Sequence, residues 1–379
     1  MKVAVLGAGR VGSAIAIDLA RGDGFEVRVA DRDPRNLAPL EDRFGIPGER
    51  VDFSLPTTVD RAVRDVDLVV SAVPGFLGFQ NLRTVIEAGR NVVDIAFFPE
   101  DPFALAELAE EKGVTAMIDC GVAPGMSNLL IGHVDALLDR TEAVSIYVGG
   151  LPVERDGLYD YRTVFSPIDV IEEYTRPARL VENGHLVVRP ALSDIERLTF
   201  PEVGELEAFN TDGLRTLLRT IGAQKMVEKT LRYPGHAEKM CLLRDTGFFS
   251  ADPFEVNGQE IRPIDFTTAL LFPLWRLREG EEDVTVMRIV VEGVMGSQRV
   301  RYTYELMDPF DRVTHTTSMA RTTAYTATAA VRMLVAGLYA EPGITPLEII
   351  GRDAKCVEYI LDDLRDRGIE YRETIVGID

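Results

Sequence analysis

Three glycines, Gly7, Gly9 and Gly12, follow the apolar run Lys2-Val-Ala-Val-Leu6 and precede the small-residue stretch Ser13-Ala-Ile-Ala-Ile17. A buried strand, a glycine turn and a helix start in that order make a cradle for a pyrophosphate. Gly7 permits the tight turn, Gly9 lets backbone approach the phosphates, and Gly12 lets the helix pack on the strand with its N-terminus facing the anion. Arg10 and Val11 occupy the positions between and belong to the same cradle. Asp31 stands nineteen residues after Gly12. A carboxylate there can accept from both ribose hydroxyls and repel a 2′-phosphate, so the spacing favours NAD over NADP. Arg32 pulls the other way, because a guanidinium can stack on adenine or take the extra phosphate. A glycine turn without a ligand, and an S-adenosylmethionine site, share parts of this pattern.

Further candidates sit where strands should end. Ser71-Ala72-Val73-Pro74-Gly75 closes one apolar run and would expose backbone beside the cofactor, although Pro74 alone is equally an ordinary strand stop. Asp94 and Asp119 close two more, on the edge where α/β sheets hold ligands, and Asp94 reads equally well as a helix cap. Gly121 to Gly125, with Pro124, reads either as a floor under a nicotinamide or simply as a helix start. His236 follows Pro-Gly at a first helical turn, with Glu238 and Lys239 beside it. Arg321, with Thr322 and Thr323, offers a fork for a carboxylate, or an ion pair with a local acid. Tyr147 and the pair Gly149-Gly150 face a cleft on one reading and form a core tyrosine and turn on the other. As a general base, His236 is preferred over Asp119 or Lys239 because its ordinary pKa is nearest neutrality. Cys120 reads as inert packing.

These residues need a scaffold. Short β-branched runs alternate with helical patterns through the first 120 residues, which predicts a parallel, doubly wound α/β sheet of the Rossmann type. Beyond Met126 the rhythm changes. Hairpin signals at Asn183-Gly184 and Asn257-Gly258 point to a second, mixed α+β domain. Ser166-Pro167 with Asp169 reads as a helix cap, N1 proline and acidic first turn. Val284–Val291 and Val300–Leu306 form a hairpin broken at Gly293–Ser297, Ala320–Leu338 is helical, and Pro346–Glu373 returns to helix. The expected division is a cofactor domain over 1–125, a substrate and dimerisation domain over 126–325, and a helical segment over 326–379 packing back on the first, with a cleft between the domains.

Composition narrows the class. A formal charge of −20 with no basic run works against nucleic acid or an anionic membrane as partner. Six of the 41 basic residues are lysine. Three scattered cysteines in no C-x-x-C spacing argue against a disulfide framework or a zinc cluster, so no metal is expected. No apolar stretch reads as a signal segment or membrane span. The expectation is a soluble cytoplasmic homodimer with a small-molecule substrate.

Four blocks carry a family likeness: Asp119-Cys-Gly121-Val-Ala-Pro124-Gly125-Met-Ser-Asn128-Leu; Tyr147-Val-Gly149-Gly150-Leu-Pro152; Thr230-Leu-Arg232-Tyr-Pro-Gly235-His236-Ala-Glu238-Lys239; and Met319-Ala-Arg321-Thr322-Thr323-Ala-Tyr325. With the glycine start, they make the chain resemble the saccharopine dehydrogenase superfamily over nearly its whole length. Ser166 to Arg179 and Glu207-Ala-Phe-Asn-Thr-Asp212-Gly213-Leu-Arg215 resemble the L-lysine 6-dehydrogenases in particular. That likeness implies NAD-dependent oxidative deamination of the ε-amine of lysine, with Asp212 and Glu238 among the substrate contacts. Saccharopine reductases usually carry Asn-Arg-Asp-Ser where Asn210-Thr-Asp-Gly stands here, and losing that arginine removes a clamp for a glutarate end. A related oxidoreductase acting on another amino acid or a polyamine conjugate, or a sensor of NAD(H) without turnover, would carry the same first domain.

Overall fold

Buried β-branched strands, Val3–Leu6, Val69–Val70 and Val92–Val93 among them, are apolar on both faces and so demand helices on both sides. The computed structural model, which describes every residue except Asp23 and Glu279, meets that demand with a parallel sheet. Its seven strands run in the order Gly343–Pro346, Thr115–Ile118, Asn91–Asp94, Leu68–Ser71, Lys2–Leu6, Glu26–Asp31, Gly48–Arg50. Chain order reverses at Lys2–Leu6. A doubly wound sheet opens its ligand crevice at that switch point, outside the carboxyl ends of the strands. Leu6, Val69, Ile86, Phe98 and Ile118 belong to the core beneath it.

The second sheet is mixed and has nine strands. Lys225–Arg232 runs parallel to Arg140–Pro152, whose other neighbour, Asp283–Met295, is antiparallel and leads through Gln298–Pro309 to Arg372–Ile378. Asn183-Gly184 and Asn257-Gly258 make the two expected hairpin turns, each with φ positive at both central residues.

The chain divides into two compact units, Met1–Leu137 with Ala320–Glu370, and Leu138–Met319 with Tyr371–Asp379. This differs from the expected boundaries at 125 and 325. Helix Met126–Leu137 stays with the first unit because it packs on the short helix Leu347–Ile350. The last segment is not all helix either. Gly343–Pro346 becomes the seventh strand of the first sheet, and Arg372–Ile378 pairs with Gln298–Pro309 in the second. Short β-branched runs of this kind show no period of their own and take their form from a partner strand distant in sequence. The break expected at Gly293–Ser297 is narrower, because Asp283–Met295 continues almost to a turn at Gly296-Ser297. Ser166 holds the N-cap position of helix Pro167–Thr175, yet its hydroxyl makes no capping bond.

Candidate active site

In the first unit the glycine loop has the close approaches its spacing predicts. Gly7 sits at φ +100°, and a Cβ there would lie 2.4 Å from the Ala72 carbonyl oxygen. A Cβ on Gly12 would lie 1.9 Å from the Gly7 oxygen. Both contacts are to backbone, which cannot step aside. Gly9 differs, since a Cβ there would meet nothing within 4 Å. It caps helix Arg10–Arg21 without any side-chain bond to the first-turn N–H groups, so this end of the helix suits an anion approaching from outside. Asp31 is fixed beside it: one carboxylate oxygen accepts from the Ala8 amide at 2.7 Å, the other from the Asp33 amide at 2.7 Å. Arg10 and Arg32 are exposed and Val11 is half-buried at the same edge. Arg35 is held by Asp33, and that pairing pulls the Asp33 carboxyl down to about 2.

The neighbouring strand ends complete the edge. Ala72 and Val73 follow strand Leu68–Ser71, and Pro74 caps helix Gly75–Glu87. Phe76, 71% exposed at the start of that helix, was not singled out from the sequence. Its signal is an aromatic placed directly after the Pro-Gly that closes a strand. Asp94 is fully buried and accepts from the Ala96 amide at 3.1 Å. Asp119 adopts φ +54° and is 3% exposed. After it the chain makes a tight loop: the Gly121 amide donates to the Pro124 carbonyl at 3.1 Å and the Met126 amide to the Gly121 carbonyl at 2.9 Å. At Gly125, φ +143°, a Cβ would fall 1.8 Å from the Gly121 oxygen. Burial, then the charges of Asp119 and Asp94, push the Cys120 thiol up, so it is no nucleophile.

Helix Ser318–Val335 brings Thr323 against this loop, its Cγ2 3.4 Å from where a Gly121 Cβ would be. Arg321 on the same helix is 8% exposed and donates to the Arg367 carbonyl at 2.9 Å. That contact is an internal tie, whereas the expectation was a fork presented to substrate. Thr322 is fully buried.

The second unit does not gather its expected residues. His236 was expected to face a cleft with a near-neutral pKa. Instead it is 1% exposed and packs against Tyr161 and Tyr174. Its Nδ1–H donates to the Tyr159 carbonyl at 3.0 Å and its Nε2 accepts from the Tyr174 hydroxyl at 2.9 Å. Burial, then the Arg232 charge, pushes its pKa down to about 3. A neutral imidazole with both nitrogens engaged is a poor general base. Lys239 donates to the Leu158 carbonyl and Glu238 is exposed. Asp212, expected to contact substrate, is clamped by Arg179 through two bonds of 2.8 Å. Tyr147 lines a shallow depression on one face of the sheet with Ser145, Arg288, Thr303 and Thr374. Gly149 and Gly150 serve packing, because a Cβ would meet the Leu231 oxygen at 2.6 Å and the side chains of Met319 and Val164 at 2.7 Å.

A parallel sheet with a glycine cradle and acidic strand ends at its switch point, carried with a mixed-sheet unit, has the architecture of a dinucleotide-binding protein. The saccharopine dehydrogenase C-terminal domain profile matches residues 121–369 and the saccharopine dehydrogenase NADP binding domain profile residues 3–117. The chain belongs to the saccharopine dehydrogenase family. It is 23% identical to the carboxyaminopropylagmatine dehydrogenase of Synechocystis sp. over 99% of this chain and 98% of that protein. It is 25% identical to the Saccharomyces cerevisiae saccharopine dehydrogenase [NADP(+), L-glutamate-forming] over 74% of this chain and 65% of that protein. With the Bos taurus mitochondrial alpha-aminoadipic semialdehyde synthase it shares 24% identity over 71% of this chain, which spans only 31% of the bovine protein. The apo saccharopine dehydrogenase (L-Glu forming) structure from Saccharomyces cerevisiae has the same fold, with a TM-score of 0.81 at 19% identity over 99% of both chains.

Proposed function

We propose that the protein is an NAD-dependent dehydrogenase that oxidises the C–N bond of a small amine, with the ε-amine of L-lysine as the leading substrate. The observation that carries the cofactor half is Asp31, whose carboxylate is held by two backbone amides at the end of the second strand, where it would meet a ribose and repel a 2′-phosphate. Arg35, the neighbouring cation after Arg32, is already paired with Asp33. Initial rates with NAD and NADP at saturating amine test this. We expect NAD to be preferred by about tenfold or more, and Asp31→Ala to relax that ratio. Equal or faster turnover with NADP in the wild type would overturn the assignment.

Bound at the glycine cradle, the nucleotide supplies the hydride acceptor. What this chain must supply is a base, because an amine of reference pKa about 10.4 is almost wholly protonated at pH 7 and only its neutral form can expel hydride from the adjacent carbon. With both His236 nitrogens engaged by Tyr159 and Tyr174, the role falls to Asp119, at the carboxyl edge beside the Gly121–Gly125 loop. Asp119→Asn is expected to lower kcat by about a hundred- to ten-thousand-fold, with partial recovery at higher pH as neutral amine accumulates. NADH affinity, followed by fluorescence titration, should change less than about threefold. A wild-type kcat in this variant removes Asp119 from the chemistry.

The loop Asn210–Arg215 supports a substrate without a glutarate end. Thr211, standing where an arginine would clamp one, donates to the buried Glu228 carboxyl at 2.6 Å, and the Gly213 amide reaches the same group at 3.1 Å. A second reading, a secondary amine in a polyamine conjugate, is favoured by the end-to-end match to the Synechocystis enzyme. A screen of NAD reduction with lysine, other diamines and carboxyalkyl polyamines separates the two.

A further inference from the structure

We infer that Glu348 is a positioning residue for the Asp119–Gly125 loop, acting through Asn128. Both side chains are fully buried. The Asn128 amide nitrogen donates to the Glu348 carboxylate at 3.0 Å, while the Asn128 carbonyl oxygen accepts from the Gly125 amide at 3.3 Å and from the Ser127 hydroxyl at 3.0 Å. The carboxylate thereby orients a primary amide, and the amide holds the peptide at which the loop turns into helix Met126–Leu137. The supporting backbone is built for this approach. A Cβ on Gly132 would lie 2.0 Å from the Glu348 carbonyl oxygen, and one on Gly351 2.2 Å from the Leu129 oxygen, so helices Met126–Leu137 and Leu347–Ile350 meet main chain to main chain. A side chain at either glycine would lift Glu348 away from Asn128.

The position of Glu348 in the sheet gives the contact its purpose. It follows strand Gly343–Pro346, which pairs with Thr115–Ile118, the strand whose end carries Asp119. Strand, loop and helix are therefore fixed from one side by a segment more than 200 residues later in the chain. A buried carboxylate is costly to desolvate, and a packed apolar residue would hold two helices together as well. What the carboxylate adds is a directional acceptor that settles which way Asn128 points.

This inference rests on the loop being part of the active site, and the test separates the two. Glu348→Gln keeps an acceptor for Asn128, and Glu348→Ala removes it. In Glu348→Ala, hydrogen exchange of the amides from Gly121 to Ser127 should accelerate by about tenfold or more while those of strand Lys2–Leu6 do not change, with NADH binding within about threefold of wild type. If lysine or another amine is turned over, kcat should fall about tenfold with a smaller change in KM for NAD, and Glu348→Gln should recover most of it. Unchanged exchange across the loop in Glu348→Ala overturns the inference. So does equal impairment of both variants with a parallel loss of NADH affinity and melting temperature, the signature of a general packing role. Faster loop exchange with wild-type kcat would leave the positioning intact and instead sink the reading of the loop as catalytic.

Discussion

Gly9→Ala is expected to leave the melting temperature of the protein unchanged while weakening NADH binding by about 5- to 150-fold, the equivalent of the ~1–3 kcal/mol that a methyl group forced into a tight contact costs. The backbone at Gly9 has φ −68° and ψ −170°, which an alanine adopts freely, and the added Cβ meets no protein atom within 4 Å. Nothing in the folded chain needs glycine there. A pyrophosphate drawn against the N-terminus of helix Arg10–Arg21 does need it, because that is the space the methyl group would fill. Gly12→Ala is the contrasting control: its Cβ would sit 1.9 Å from the Gly7 oxygen, so that variant should lose stability and binding together. Fluorescence titration with NADH beside a thermal melt reads both. If Gly9→Ala binds NADH as the wild type does, the phosphates do not lie over this turn.

Acidification should destabilise the second unit through His236. The folded imidazole has its pKa pushed down from 6.5 to about 3, chiefly by burial and then by Arg232. The unfolded chain takes up a proton below pH 6.5 that the folded chain refuses until about pH 3. Stability from this group is complete above 6.5 and is lost as pH falls toward 3, at up to ~1.4 kcal/mol per pH unit and several kcal/mol in all. His236→Asn offers both a donor and an acceptor but no proton affinity. It should be less stable than wild type at pH 7.5 by about 1–3 kcal/mol, from imperfect bonds to Tyr159 and Tyr174, and its stability should fall less steeply toward pH 4.5. Urea denaturation at pH 7.5, 6.5, 5.5 and 4.5 gives the two slopes; parallel slopes would mean that His236 titrates normally in the folded protein.

What was legible in the sequence has short-range causes. Gly7, Gly9 and Gly12 lie within one turn, so the turn and the helix start follow from which residues lack a side chain, and the Gly12–Gly7 approach is made within the loop itself. The β-α rhythm predicted the parallel sheet because strands buried on both faces read as continuous apolar runs. Asn183-Gly184 and Asn257-Gly258 predicted their hairpins because two adjacent positive φ values admit few other residues. The place of Asp31 was readable as the end of a strand at a fixed distance from the turn.

The roles of ionisable side chains depended on partners far away in sequence. His236 has the same neighbours in the chain whether it faces solvent or Tyr174, 62 residues earlier. Arg179 pairs with Asp212 from 33 residues away, and the tie of Arg321 to the Arg367 carbonyl spans 46. Asn128 meets Glu348 across 220 residues, with no pattern linking the two blocks. Strand Gly343–Pro346 likewise acquires its form only by lying beside Thr115–Ile118. The sequence by itself determined the glycine turn and the helix start after it, because Gly7 and Gly12 exclude side chains from one another within a single loop. Only the tertiary structure decided which polar groups are buried and paired, because desolvation and hydrogen bonding depend on what folding brings alongside.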